Sequence, residues 1–313
     1  MSDLHYLTDC LSTRDQAYLE RAYYRYTQSG KNETRKMLER IPLHITEIET
    51  ALQEQGIPEW IKYLPLAESR LQSRAVSPAG AVGIWQIMPA TGRSLGLRIN
   101  DKIDERLHTG LASKAAALYL KKLHRQFGDW LLALAAYNCG AGNVRKAQRR
   151  AKGYFYHEIS RYLPRQTRRY IPRVLTIARV AQQPAAHGFT DVRPLAQPVI
   201  VTSTQPTSLK ELAHYFSCSL SLLKKFNPTY SNSIRVNGET TAAIYIPASV
   251  YNTPVRTQPL RIGTALQVRA GLRTQAHLGL PNHNGVIALR QNTVATPWYS
   301  LLAFTSATLS IGG

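Results

Sequence analysis

Apolar residues recur at three- and four-residue steps along most of the first 183 positions. Leu38, Ile41, Ile45, Ile48 and Leu52 form one stripe and predict a helix over 31–55, after an earlier one over 13–28. Gly56 stops that helix, and Pro58 suits the first turn of the next, over about 58–69, with Trp60, Ile61, Leu64 and Ala67. Pro65 is expected to kink or restart it. Residues 72–83 are rich in Ser, Gly, Ala and Pro and read as a loop. A helix over 112–127 carries Leu120, Leu123 and Phe127 on one face, and Gly128 ends it. Asp129 then caps the segment WLLALAAY at 130–137, which is apolar on every side and belongs at the centre of a core. A last helix covers 164–182.

The pattern changes at Pro184. Residues 182–207 contain QQP, RPLAQP and TQP, the signature of a linker. Beyond it, 199–202 reads as a strand and Ser208 with Glu211 as a capping box opening a short helix. A second short helix spans 219–226, and 244–247 reads as a closing strand. Strand, helix, helix, strand in about fifty residues describes a small α/β module. The expected organisation is an N-terminal helical segment (1–55), a helical domain (56–183), a linker (184–197), the small module (198–250) and a tail without clear pattern (251–313).

Length and composition fit this division. The 313 residues suit two domains with a sizeable core, and 44% apolar against 19% charged residues excludes a disordered chain. Cys10, Cys139 and Cys218 are too scattered for a disulfide framework or a zinc site. The charge is uneven. Residues 1–60 hold 7 basic and 10 acidic residues, residues 61–180 hold 22 and 6, and residues 181–313 hold 10 and 3. The middle segment, at +16, predicts contact with something acidic: nucleic acid, anionic lipid or a cell-wall polymer. With no zinc-finger or RRM signature, nucleic acid is not expected. The opening MSDLHYLTD has two acidic residues and no apolar run, so no secretory signal is visible in it, and no segment is long and apolar enough to span a membrane.

The candidate chemistry excludes much and leaves one carboxylate. There is no HExxH, no histidine pair at ligand spacing, no GxSxG elbow and no P-loop, so no metal or cofactor is expected. Glu68 ends an apolar helix directly before the loop. A carboxyl against an apolar wall stays protonated to higher pH, as a general acid requires. On spacing alone it reads more readily as an exposed helix-end Glu paired with Arg70 or Arg74. In the segment SPAGAVGIWQIMPAT at 77–91, Gly80 and Gly83 permit positive φ or close backbone approach, and Ser77, Gln86 and Met88 are candidates to line a cleft. Trp85 reads as core. Tyr137 and Asn138 close the apolar helix. Tyr137 is placed either to meet a ligand or to be buried with its hydroxyl satisfied.

Four blocks occur together over roughly 35–182: Glu68 with Ser69, the 77–91 segment, GDWLLALAAYNCGAG at 128–142, and Leu163-Pro164 with Thr167 to Tyr170. In order and spacing they resemble the lytic transglycosylases of the soluble-type, lysozyme-like superfamily, and most of all their membrane-bound D branch. The resemblance implies a mainly α, lysozyme-like catalytic domain acting on peptidoglycan glycan strands between N-acetylmuramic acid and N-acetylglucosamine. It implies Glu68 as acid/base and Ser77, Gln86, Met88, Tyr137 and Gln166 as residues lining the sugar subsites, with Asn138 bracing the cleft. It also implies a periplasmic or cell-envelope location with outer-membrane or wall association. Gln166 departs from the family, which usually has Glu there, and keeps hydrogen-bonding capacity without the charge. The 198–250 module resembles a degenerate LysM domain, the βααβ fold that binds N-acetylglucosamine polymers, without its usual Gly-Asp-Thr-Leu entry. The rival readings are a hydrolytic muramidase of the same fold and an inactive wall-binding protein. Between Glu68 and Asp101 there is no acidic residue, so the segment expected to line the cleft supplies no second carboxylate.

Overall fold

The computed structural model describes Thr8 and residues 11–101, 103–203, 208–230, 242–251 and 266–269. The helical part begins with α1 (Thr13–Tyr24), whose N-cap Ser12 accepts the amide of Asp15, and which runs into a π turn, Arg25–Ser29. The expected helix over 31–55 is two helices, α2 (Lys31–Arg40) and α3 (Ile45–Glu54). Between them Ile41–Leu43 forms a 3-10 turn around Pro42, which has no amide hydrogen to continue the α ladder. The apolar stripe runs through the break because Leu38, Ile41, Ile48 and Leu52 are all buried.

Pro65 restarts the next helix as expected: a 3-10 segment, Glu59–Tyr63, gives way to α4 (Leu64–Ser69). After the loop come α5 (Pro89–Ser94), α6 (Thr109–Phe127) and α7 (Trp130–Cys139). Gly128 adopts φ +71 at the α6 terminus, and Asp129 Oδ1 accepts the amide of Leu132 at 2.7 Å to open α7. Residues 131–136 are all buried, so the uniformly apolar helix is the centre of the core. A basic helix that the sequence pattern did not single out follows, α8 (Ala141–Ala151), then the single turn α9 (Tyr156–Ile159) and α10 (Arg165–Gln182). α10 packs on α1, α4 and α7 and so joins the N-terminal segment to the core.

The module has the expected order: β1 (Val199–Ser203), α11 (Leu209–Tyr215), α12 (Leu220–Phe226), β2 (Ala242–Ile246), then the short helix α13 (Ala248–Tyr251). Its sheet holds a third strand, β3 (Leu266–Arg269), from the tail that carries no clear pattern. Four residues are too few to show a period in the sequence. β1 is central, antiparallel to both neighbours, with Val201 opposite Ile244 and Val268. Asn227 ties α12 to β2: its amide nitrogen donates to the carbonyls of Leu223 and Tyr245 and its oxygen accepts the amide of Tyr245, each at 2.8 Å. The remainder of the tail and the opening residues 1–7 lie outside the described residues.

Candidate active site

α4 is six residues long and nearly all of it is buried, which leaves Glu68 as its one partly open side chain. Ser69 Oγ donates to the carbonyls of Pro65 (3.2 Å) and Ile84 (2.9 Å), so the helix end is fixed to the following loop. The Tyr170 hydroxyl on α10 donates a hydrogen bond to Glu68 Oε1. One turn further along, Arg173 donates to the carbonyl of Ala67 at 3.0 Å. Burial raises the Glu68 pKa to about 7, against the opposing effects of the Tyr170 hydrogen bond and the Arg173 charge. The alternative of a helix-end pair with Arg70 or Arg74 does not form. Arg70 pairs with Glu33 at 3.5 Å, and Arg74 donates to the carbonyl of Lys224 at 2.8 Å.

The loop beside Glu68 is a built structure. Gly83 has φ +83, and a Cβ there would stand 2.0 Å from the carbonyl oxygen of Arg106, so only glycine fits. Arg106 in turn donates to the carbonyls of Gly80 (3.0 Å) and Ile87 (3.1 Å), with Asp104 holding its guanidinium at 2.7 Å. Trp85 is wholly buried as expected, its indole N–H donating to Ser113 Oγ at 2.8 Å.

The nominated residues fall into distinct positions around this frame. Ser77 Oγ accepts the amide of Ala81 at 2.9 Å and so shapes its own turn. Gln86, at φ +50, donates from Nε2 to the carbonyls of Ala75 (3.2 Å) and Gly83 (2.9 Å) and braces the loop. Met88 is exposed at 41%, next to the N-terminus of α5. The Tyr137 hydroxyl donates to the carbonyl of Trp85 at 2.7 Å. Its pKa lies well above 10, raised by burial first and then by the Glu68 charge, so the two groups feel each other. Asn138 Oδ1 accepts the Thr167 hydroxyl at 2.9 Å and so links α7 to α10. Gln166 does not join this group. It lines a cavity between α1 and α10, whose wall also includes Tyr170 and Arg173.

The sequence reading missed Tyr170 and Arg173 as the groups acting on Glu68. They stand three residues apart on α10 and therefore on one helix face. The causes acting on Glu68 are burial, Tyr170 and Arg173, and no carboxylate is among them. Asp104 is paired with Arg106, and Glu105 with Arg98 at 2.5 Å. Among the described residues no group of three His, Cys, Asp or Glu side chains could hold a metal ion, and no helix is long and apolar enough to cross a membrane.

Residues 46–159 match the family model described as Transglycosylase SLT domain. It is 34% identical over 184 residues to the Membrane-bound lytic murein transglycosylase D of Escherichia coli (strain K12), covering 56% of this chain and 40% of that protein. It is 35% identical over 131 residues to the Peptidoglycan transglycosylase gp16 of Escherichia phage T7, covering 41% of this chain and 10% of that one. Among solved structures, the Lytic Transglycosylase Slt of Pseudomonas aeruginosa aligns at 27% identity and a TM-score of 0.40, over 46% of this chain and 24% of its own. The chain thus spans less than half the length of these relatives.

Proposed function

We propose that this chain is a peptidoglycan lytic transglycosylase. It cleaves the β-1,4 bond between N-acetylmuramic acid and N-acetylglucosamine and leaves a 1,6-anhydromuramic acid end. The observation that carries this reading is Glu68: a carboxyl poised near neutrality, partnered by a tyrosine and an arginine and, among the described residues, by no second carboxylate. A pKa of about 7 makes both protonation states accessible at neutral pH, which suits a group that must act first as acid and then as base.

The reaction follows from those states. Protonated Glu68 gives its proton to the leaving glycosidic oxygen as the bond to the muramic acid C1 breaks. The resulting carboxylate then removes the proton of the same sugar's 6-hydroxyl as that oxygen bonds to C1. The acid is restored, and no water is consumed. A glycosidase that hydrolyses usually needs a second carboxylate across the bond, as nucleophile or as base for water. Here the nucleophile is part of the substrate, already held close to C1, which recovers much of the entropy of bringing two reactants together. Tyr170 keeps the carboxyl oriented and stabilises its charged state between the two proton transfers. Met88 and the Ser77 turn form the wall against which the strand lies, and Gln86 and Asn138 keep that wall in place. The substrate places the protein's work in the cell envelope.

The product decides. Digestion of purified sacculi, followed by mass spectrometry, should give muropeptides lighter by one water than the hydrolytic products and resistant to borohydride reduction. Reducible muramic acid ends would convert the reading to a muramidase. Sacculi bound but left intact would make the chain a wall-binding protein.

A further inference from the structure

A cavity of about 650 Å³ opens between α1 and α10 and is lined by Arg21, Arg25, Arg165, Arg169 and Arg173. Tyr18, Tyr26, Tyr170 and the uncharged Gln166 complete its wall, and neither carboxylate of α1, Asp15 or Glu20, takes part. Both helices lie outside residues 46–159, so the cavity is not a feature of the matched domain. Among the described residues none of the five arginines makes an ion pair. Arg21 in α1 and Arg25 at the start of the π turn are four apart, and Arg165, Arg169 and Arg173 repeat at four on α10. Like charges at that spacing repel, so both helices carry a cost. The guanidinium groups are nevertheless held: Arg21 and Arg169 stand over the Tyr18 ring at 6.0 and 5.8 Å, and Arg173 over Tyr170 at 5.7 Å.

We propose that this cavity is a binding site for the carboxylates of the peptide carried by the glycan strand. The guanidinium fork matches a carboxylate in two-point geometry, and several such groups on facing helices suit a ligand with more than one negative charge. The position selects the source. Tyr170 forms part of the cavity wall and its hydroxyl also bonds Glu68, so the cavity and the reacting carboxyl share one side chain. The muramic acid there carries a lactyl-linked peptide with free carboxylates. This step rests on the proposed function. It adds a preference: strands that keep their peptides are taken over strands stripped of them.

Binding can be measured apart from turnover. Full-length chain bearing Glu68→Gln is titrated calorimetrically with a synthetic stem tripeptide ending in diaminopimelate, with the same peptide fully amidated, and with inorganic phosphate. The acidic peptide should bind at least ten-fold more tightly than either of the others. Arg21→Gln with Arg169→Gln, both exposed and both helix-compatible, should weaken it ten-fold or more. Equal binding of the amidated peptide, indifference to the arginine substitutions, or phosphate binding as tightly as peptide would overturn the proposal, the last by assigning the site to phosphate. With Glu68 restored, kcat/KM on peptide-bearing strands relative to amidase-stripped strands should exceed ten and fall towards one in the double variant, through KM. Failure to cut either strand would count against the transglycosylase reading, while the calorimetry judges the cavity by itself.

Discussion

The Tyr245 hydroxyl donates a 2.6 Å hydrogen bond to Glu47 Oε1, joining β2 of the small module to α3 of the helical domain. The Tyr245 ring also meets the His108 ring edge-on at 5.4 Å. A backbone bridge between Ile103 and Tyr230 and the bond from Arg74 to the Lys224 carbonyl extend the contact. The module is therefore seated on the domain that holds Glu68.

Removing the Tyr245 hydroxyl tests that seating. Burial raises the Glu47 pKa to about 7, and the Tyr245 hydrogen bond acts the other way by favouring the charged form. Tyr245→Phe should destabilise the full chain by about 1–2 kcal/mol at pH 8, where Glu47 is ionised and loses its donor. The cost at pH 5, with the carboxyl protonated, should be smaller. Urea melts of the two proteins at both pH values measure this, and an equal loss at each would separate Tyr245 from the charge on Glu47.

Two carboxyls with raised pKa values also set the pH dependence of folding. Glu47 and Glu68 are held near 7 in the folded chain, above the ordinary value of 4.5. The folded state thus binds more protons than the unfolded state between those limits. Stability from each group is complete below about pH 4.5 and is lost as pH rises through 7, by at most about 3 kcal/mol. Glu68→Gln removes one of these losses. Its stability should drop less than that of the parent between pH 4.5 and 8 in denaturant titrations, and parallel curves would show that Glu68 is not held protonated.

The acid–base role of Glu68 predicts a distinctive effect at Tyr170. Tyr170→Phe deletes a hydrogen bond that stabilises the carboxylate, so the Glu68 pKa should rise further. One bond to a charged group is worth about 1.5 kcal/mol, or about one pH unit. The alkaline limb of kcat/KM, where the acid loses its proton, should move up by that amount. A lower rate with an unmoved profile would make Tyr170 a packing residue.

Much of this arrangement is visible in the chain before folding, and the residues show where visibility ends. Glu68, the Gly80 and Gly83 turns and the core helix at 130–137 declare themselves because each depends on neighbours in sequence: an apolar flank, a positive φ, a uniformly apolar run. The break at Pro42 was hidden because the apolar stripe continues across it. Tyr170 and the arginine-lined cavity were hidden for a different reason. They join α4 to α10 across 102 positions, and α1 to α10 across still more, so no local pattern marks them. The excess charge of the middle segment hinted at an acidic partner, but three of the five cavity arginines come from its last sixteen residues and two from the N-terminal segment, whose net charge is negative.

Gly83 carries the steepest structural prediction. Alanine would have to hold φ +83 and push its Cβ against the Arg106 carbonyl. Strain and overpacking together should cost about 2–5 kcal/mol. Because Arg106 also holds Gly80 and Ile87, the displacement spreads through the cleft wall, and activity on sacculi should fall further than the melting temperature alone implies. Folded, fully active Gly83→Ala protein would show that the loop tolerates a different path.

Gln166 distinguishes hydrogen bonding from charge in the cavity between α1 and α10. Its amide stands among five arginines with no carboxylate beside it. In Gln166→Glu the new carboxyl would ionise in that field and pair with a neighbouring guanidinium, relieving part of their mutual repulsion. Such exposed pairs contribute about 0.2–1 kcal/mol, so the melting temperature should rise by a degree or two. The same charge would occupy the place that an anionic substituent needs. Affinity for the acidic stem peptide should therefore fall about ten-fold in calorimetry, and the preference for peptide-bearing strands should shrink. If residue 166 serves only to orient a neighbour by hydrogen bonding, Glu and Gln are equivalent, and neither stability nor peptide affinity should change. A more stable variant that binds peptide less well is the outcome expected of an anion site, and one that binds it better would place the peptide elsewhere.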